Sequence, residues 1–170
     1  MKKLFLFIFI ISLVSCKHSM KMDAMEDVKG CPPTGIVFPE SIGYVNDFTY
    51  LFSENETTLL TKRIDSFKLV SSNEIAIVTL DSVPYNINQF TDDLGNYWGV
   101  GKKDKNNGLI ILVSKMNRKV RISTGLGTRK ILTDSICNEI IQNQMIPMFK
   151  EDNFYQGVDD ALDLVFQTWK

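Results

Sequence analysis

The chain has 170 residues, is 44% hydrophobic and 23% charged, and carries a formal charge of −1. That length suits one domain with a real core and is short for two, and near-neutral charge argues against nucleic acid, which requires a basic face. No repeat, heptad or low-complexity block points to a solenoid or coiled coil.

Lys2 and Lys3 precede an almost unbroken apolar run from Leu4 to Val14 that ends at Ser15-Cys16. Roughly a dozen apolar residues cannot cross a hydrocarbon layer that needs about 20 in a helix, but they suit the core of a secretory leader. Leu13-Val14-Ser15-Cys16 resembles the bacterial lipobox, where cleavage before the cysteine is accompanied by its acylation. Residues 1–15 are therefore read as a lipoprotein signal peptide and Cys16 as the lipidated mature N-terminus. The alternative is an ordinary leader with a chance cysteine. Acyl chains on Cys16 would hold the protein to a membrane of the bacterial envelope, facing the periplasm or the surface, with about 0.8 kcal/mol for each buried methylene.

Residues 16–40 are rich in Lys, Met, Asp, Pro and Gly without periodicity and read as a flexible tether, leaving 41–170 as the folded domain. The only histidine, His18, falls in the tether, which argues against a Ser-His or Cys-His pair within the domain. Cys31 also lies there, whereas Cys137 sits in a predicted helix and reads as a small core residue. Whether the two thiols pair depends on Cα geometry and stays open at this level.

Within the domain, Tyr44 to Phe48 is a short lead-in to a helix from Ser53 to about Val70. Ser53 and Glu56 have the capping-box form, and Leu59, Leu60, Ile64 and Phe67 recur at helical spacing. Glu74 to Leu80 is a strand whose nearly continuous apolar run implies burial on both faces. A second helix spans Asn88 to Trp98. Leu109 to Ser114 and Arg118 to Ser123 form a hairpin around Lys115-Met116-Asn117; the first strand is central, and the alternating second is nearer an edge. A helix from about Asp134 carries Ile136, Ile140, Ile141 and Met145 inward and ends at Pro147. Asn153 to Lys170 is the last helix. The expected fold is α/β, a three-layer α/β/α sandwich with a small mixed central sheet flanked by helices.

Two glycine-bearing loops flank the hairpin, Gly99-Val100-Gly101 with Lys102 to Asn107, and Gly125-Leu126-Gly127, so both should emerge at one end of the sheet. The first lacks the spacing and the Ser or Thr of a phosphate loop, and the second meets Lys130 where a dinucleotide fingerprint wants a small residue, so no nucleotide is expected. Lys102, Lys103, Lys105, Arg129 and Lys130 form either a basic rim suited to phosphate or an ordinary solvated face.

The order and spacing of these motifs resemble the TPM domain: Tyr44-Val45-Asn46-Asp47, the first glycine loop, Asn107-Gly108, the Leu109 strand, Arg118 to Arg121, the second glycine loop, Leu132-Thr133-Asp134, Pro147-x-Phe149-Lys150 and Tyr155-x-Gly157. The match covers about Val45 to Phe166, and the resemblance implies the same three-layer sandwich. It also implies an acidic pocket that binds a divalent cation, Ca²⁺ or Mg²⁺, through oxygens from separate loops. Carried over by position, the candidate metal ligands are Asp47, Asp104, Asn106 and Asp134. Asn106 stands where the family has Asp, and Arg129 where it has Glu; an arginine there would act as a counter-ion and oppose a metal. Each acid also has a purely structural reading: Asp47 as a turn residue, Asp104 as a solvated loop charge, Asp134 as a cap or first-turn acid of its helix.

Two functions are expected from this. The first is a membrane-tethered, non-catalytic binding module that assembles or maintains an envelope protein complex, with a divalent cation as a structural element. The second, implied by the resemblance, is a metal-assisted acid phosphatase acting on phosphomonoesters.

Overall fold

A computed structural model describes residues 35–170. The leader, Cys16, His18, Cys31 and most of the stretch read as tether lie outside the described residues.

The elements are β1 (Val45–Asp47), α1 (Glu54–Ser71), β2 (Glu74–Leu80), α2 (Ile87–Trp98), β3 (Gly108–Ser114), β4 (Lys119–Thr124), a 3-10 turn (Thr128–Lys130), α3 (Asp134–Ile140), a π-helical turn (Ile141–Met145), α4 (Ile146–Lys150) and α5 (Phe154–Thr168). The sheet runs β1-β2-β3-β4. β1, β2 and β3 are parallel, and β4 returns antiparallel to β3 with Leu109 opposite Thr124. β1 was not foreseen as a strand; three residues carry too short a pattern to show a period of two.

Alternation along β2 and β3 divides the core between the faces. Ile75, Ile77, Leu109 and Ile111 meet Leu60, Ile64 and Phe67 of α1 and Val158, Leu162 and Val165 of α5, together with α3. Ala76, Val78, Ile110 and Leu112 meet Phe90 and Leu94 of α2. Every residue of β3 is buried, as its apolar run demands. The result is the expected α/β/α sandwich. Because strand order advances in one direction from β1 to β3 while α1 and α2 lie on opposite faces, the two crossovers have opposite hands. One of them is therefore left-handed, a sense found in only about 2% of such connections.

The capping box forms as read: the Ser53 hydroxyl accepts from Glu56 N, and Ser53 N donates to Glu56 Oε2 at 2.7 Å. Two expectations change. Pro147 does not end its helix; the run continues through the π turn into α4, with Pro147 in that helix's first turn. A proline ring collides with the carbonyl four residues earlier, and here that residue is Asn143, inside the widened π turn that gives it room. The end of the stretch read as tether is also packed. Phe38 is 3% exposed and meets the Phe90 ring edge-on at 5.3 Å, and Trp98 Nε1 donates to Pro39 O at 2.8 Å. The folded unit therefore begins near Phe38, a few residues before Ser41.

Candidate functional site

The two glycine loops meet at the Gly108 end of the sheet and are locked to each other through backbone. Gly125 N donates to Gly108 O at 2.9 Å, and Gly127 N to Asn106 O at 3.0 Å. No side chain would fit at the contacts: a Cβ on Gly108 would stand 2.0 Å from Val100 O, and one on Gly127 2.0 Å from Lys105 O. Beneath them, buried Asn107 accepts from Lys102 N at 2.9 Å and donates to Ser72 O at 2.8 Å. Glu74 ties the first loop to α1, accepting from Gly101 N at 2.9 Å and pairing with Lys68 Nζ at 3.0 Å. That hydrogen bond to Glu74 raises the Lys68 pKa against the opposing effect of burial.

Backbone thus bears the fold here, and the loop side chains from Lys102 to Asn106 all point to solvent. Leu126 is 65% exposed at the tip of the second loop, and Ile131 is 44% exposed just beyond it. Arg129 and Lys130 lie between them, also exposed. Exposed cations of both loops thus flank one backbone junction, with Leu126 and Ile131 exposed among them.

Among the candidate ligands, Asp47 lies apart from Asp104 and Asn106. Asp47 closes β1 opposite Thr79, whereas Gly108 stands opposite Glu74, so about 17 Å of strand separates the Asp47 level from the glycine loops. Its carboxylate is already engaged, accepting from Leu51 N at 3.0 Å, Phe52 N at 2.8 Å and the Thr79 hydroxyl. It is the turn residue of the structural reading. Asp104 is exposed in the first loop. Asn106 has φ +49°, a left-handed conformation that asparagine adopts more readily than most residues, and its carbonyl accepts from Gly127 N and Thr128 N. That backbone duty accounts for the residue type without a ligand. Asp134 opens α3, whose N-cap is Thr133. It lies 3.6 Å from Arg121 and 3.9 Å from Arg129, so Arg129 does stand as its counter-ion.

Sequence reading passed over several residues that matter at this end. Arg121 lies on the edge strand β4, yet its Nε is buried and without a hydrogen-bond partner, and its far nitrogen reaches Asp134. Glu74 and Asn107 looked like strand-end and turn residues. Only the meeting of β2, α1 and the first loop gives them work, and no local pattern encodes that. Cys137 is 1% exposed; burial, only partly offset by Arg121, pushes its thiol up to about 11. A thiol so protonated at neutral pH is a core side chain.

Among known proteins, a family model described as the TPM domain matches residues 45–168. The fold is similar to the N-terminal domain of a Porphyromonas gingivalis protein solved by NMR, at 32% identity and TM-score 0.68, covering 74% of this chain and 80% of that one. It is also similar to the N-terminal domain of a Corynebacterium glutamicum protein, at 20% identity and TM-score 0.60 over 79% and 88% of the two chains. A protein of the psychrophilic bacterium Bizionia argentinensis has a similar fold at 18% identity and TM-score 0.63, over 72% and 88%. No curated protein matches the chain.

Proposed function

The chain belongs to the TPM domain family, and we propose that within it this protein is a non-catalytic binding module, tethered to a bacterial envelope membrane through acylated Cys16 and serving the assembly or upkeep of an envelope protein complex. The observation that carries the reading is the interlocked glycine junction. It fixes two loops through main-chain contacts and leaves their side chains outward, which is how a rigid recognition surface is built. The leader and the Leu13-Val14-Ser15-Cys16 sequence support the tether.

The reading calls on no divalent cation. Asp47 has its oxygens engaged by two amides and a hydroxyl, and Asp134 is matched by two guanidinium groups. Titration of the domain with millimolar Ca²⁺ or Mg²⁺ is expected to leave the amide resonances around Asp47 and Asp134 in place.

Two measurements test the proposal. In the native host, an acyl label should enter the protein and be lost in Cys16→Ser; a label that survives that change, or that never enters, removes the tether. Phosphomonoester hydrolysis by residues 35–170, with and without chelator, should stay at background. Chelator-sensitive turnover abolished by Asp134→Ala would instead establish the metal-assisted phosphatase.

A further inference from the structure

We propose that the rim around the glycine junction is a docking surface for an anionic phospholipid bilayer, with Leu126 and Ile131 entering the headgroup region and the surrounding cations bound to lipid phosphates. This goes beyond the acyl tether, which neither requires such a surface nor supplies one.

Charge is the first argument. Lys102, Lys103, Lys105, Arg129 and Lys130 are exposed around the two loops, against Asp104 and an Asp134 already matched by Arg121 and Arg129. The whole chain is nevertheless slightly acidic, so exposed cations on two interlocked loops depart from its average, and such a group is drawn to a negative surface.

Shape and residue type favour a bilayer over a protein partner. Leu126, 65% exposed, lies between two glycines that are immobilised against Lys105 and Asn106 backbone, so it is held outward at the tip of a loop. Protein interfaces favour aromatic residues and arginine seated in pockets and are poor in lysine. This rim is rich in lysine and has aliphatic side chains on a projecting loop. Cations circling one or two projecting apolar groups are the arrangement by which peripheral domains sit in an anionic interface. Position agrees as well. Pro39 packs on Trp98, immediately before the first loop, so the chain joins the fold beside the rim. On the tethered reading a lipid at Cys16 would keep the domain near the membrane, although the test below does not depend on that.

Residues 38–169 contain both halves of the core, so residues 35–170 carry the fold without Cys16 and suit a vesicle assay. Flotation would use vesicles of pure phosphatidylcholine and vesicles with about a third phosphatidylglycerol, at low and at high salt. Binding is expected only to the anionic vesicles, falling with salt. The triple change Lys102→Gln, Lys103→Gln, Lys105→Gln should weaken it at least about tenfold, since each cation near such a surface is worth roughly fivefold. Leu126→Ser should weaken it several-fold. The β3–β4 turn provides a matched control at the other end of the sheet, because Lys115, Arg118 and Lys119 surround a Met116 that is 76% exposed. Lys115→Gln with Lys119→Gln should leave binding unchanged. No binding to anionic vesicles, an equal loss in the turn variant, or indifference to Leu126→Ser overturns the proposal. Capture of an acidic protein through the rim without any vesicle binding does so too.

Discussion

At the Gly108 end of the sheet, backbone packs on backbone and the charged side chains are left outside; at the Asp47 end, a carboxylate lies inward and ties backbone amides together. The same residue type consequently has different work at the two ends. Asp47 completes the β1–α1 connection through Leu51 N, Phe52 N and Thr79, whereas Asp104 stands in solvent on a loop whose shape the glycines and Asn107 already determine. An acid near a loop in the sequence therefore says little until its hydrogen-bond partners are known.

The contrast can be broken experimentally, first at its strongest point. Gly108→Ala and Gly127→Ala each force a Cβ into a main-chain oxygen at 2.0 Å and should lose on the order of 3–4 kcal/mol in urea unfolding. A loss below about 1 kcal/mol would mean that the two loops are not interlocked. At the other end, Asp47→Ala leaves two amides without their acceptor and should cost about 2–3 kcal/mol. The same change at Asp104 should stay within about 0.5 kcal/mol. If the two variants were equal, Asp47 would not be the tie described here.

The layer between the ends gives a smaller, pH-dependent effect. Cys137 has an ordinary pKa of 9.0 that burial raises to about 11 in the folded chain, so between these values the folded state holds a proton that the unfolded state has released. Stability from this group is complete below pH 9 and is lost as pH rises toward 11, by about 3 kcal/mol at most. Cys137→Ala should flatten that part of the stability profile relative to the parent chain. An unchanged slope would show that the thiol is not the group responsible. A small effect is expected at Asp134, which is 62% exposed beside its arginines; Asp134→Asn should cost under about 1 kcal/mol, read as a small drop in unfolding midpoint.

Where pattern was long, sequence reading reached the fold directly. The Leu60, Ile64 and Phe67 stripe, the capping box at Ser53 and the unbroken run from Leu109 to Val113 led to α1 and β3 within a residue or two. It went astray where a local rule met a nonlocal solution. Pro147 stops an isolated α-helix, but a π turn four residues earlier accommodates it. Phe38 sits in a composition typical of a tether, yet α2 offers it two aromatic rings. In the site, the exposed lysines of the first loop were legible because they fall together in a polar run. That Asp47 and the glycine loops belong to opposite ends of the strands was not legible, because strand register is not a property of the chain order.

The amino-acid order by itself determined the longer elements, their apolar faces and the junction's glycines, because each depends on interactions within a turn or two of chain, and the order of its motifs marked the family. Tertiary structure alone decided that α1 and α2 take opposite faces with one left-handed crossover, that Glu74 and Asn107 clamp the first loop, and that Asp47 stands at the far end of the strands from the glycine loops. Those outcomes are set by which distant segments come into contact, and strand register, fixed by burying both faces of β2 and β3 at once, dictates that contact.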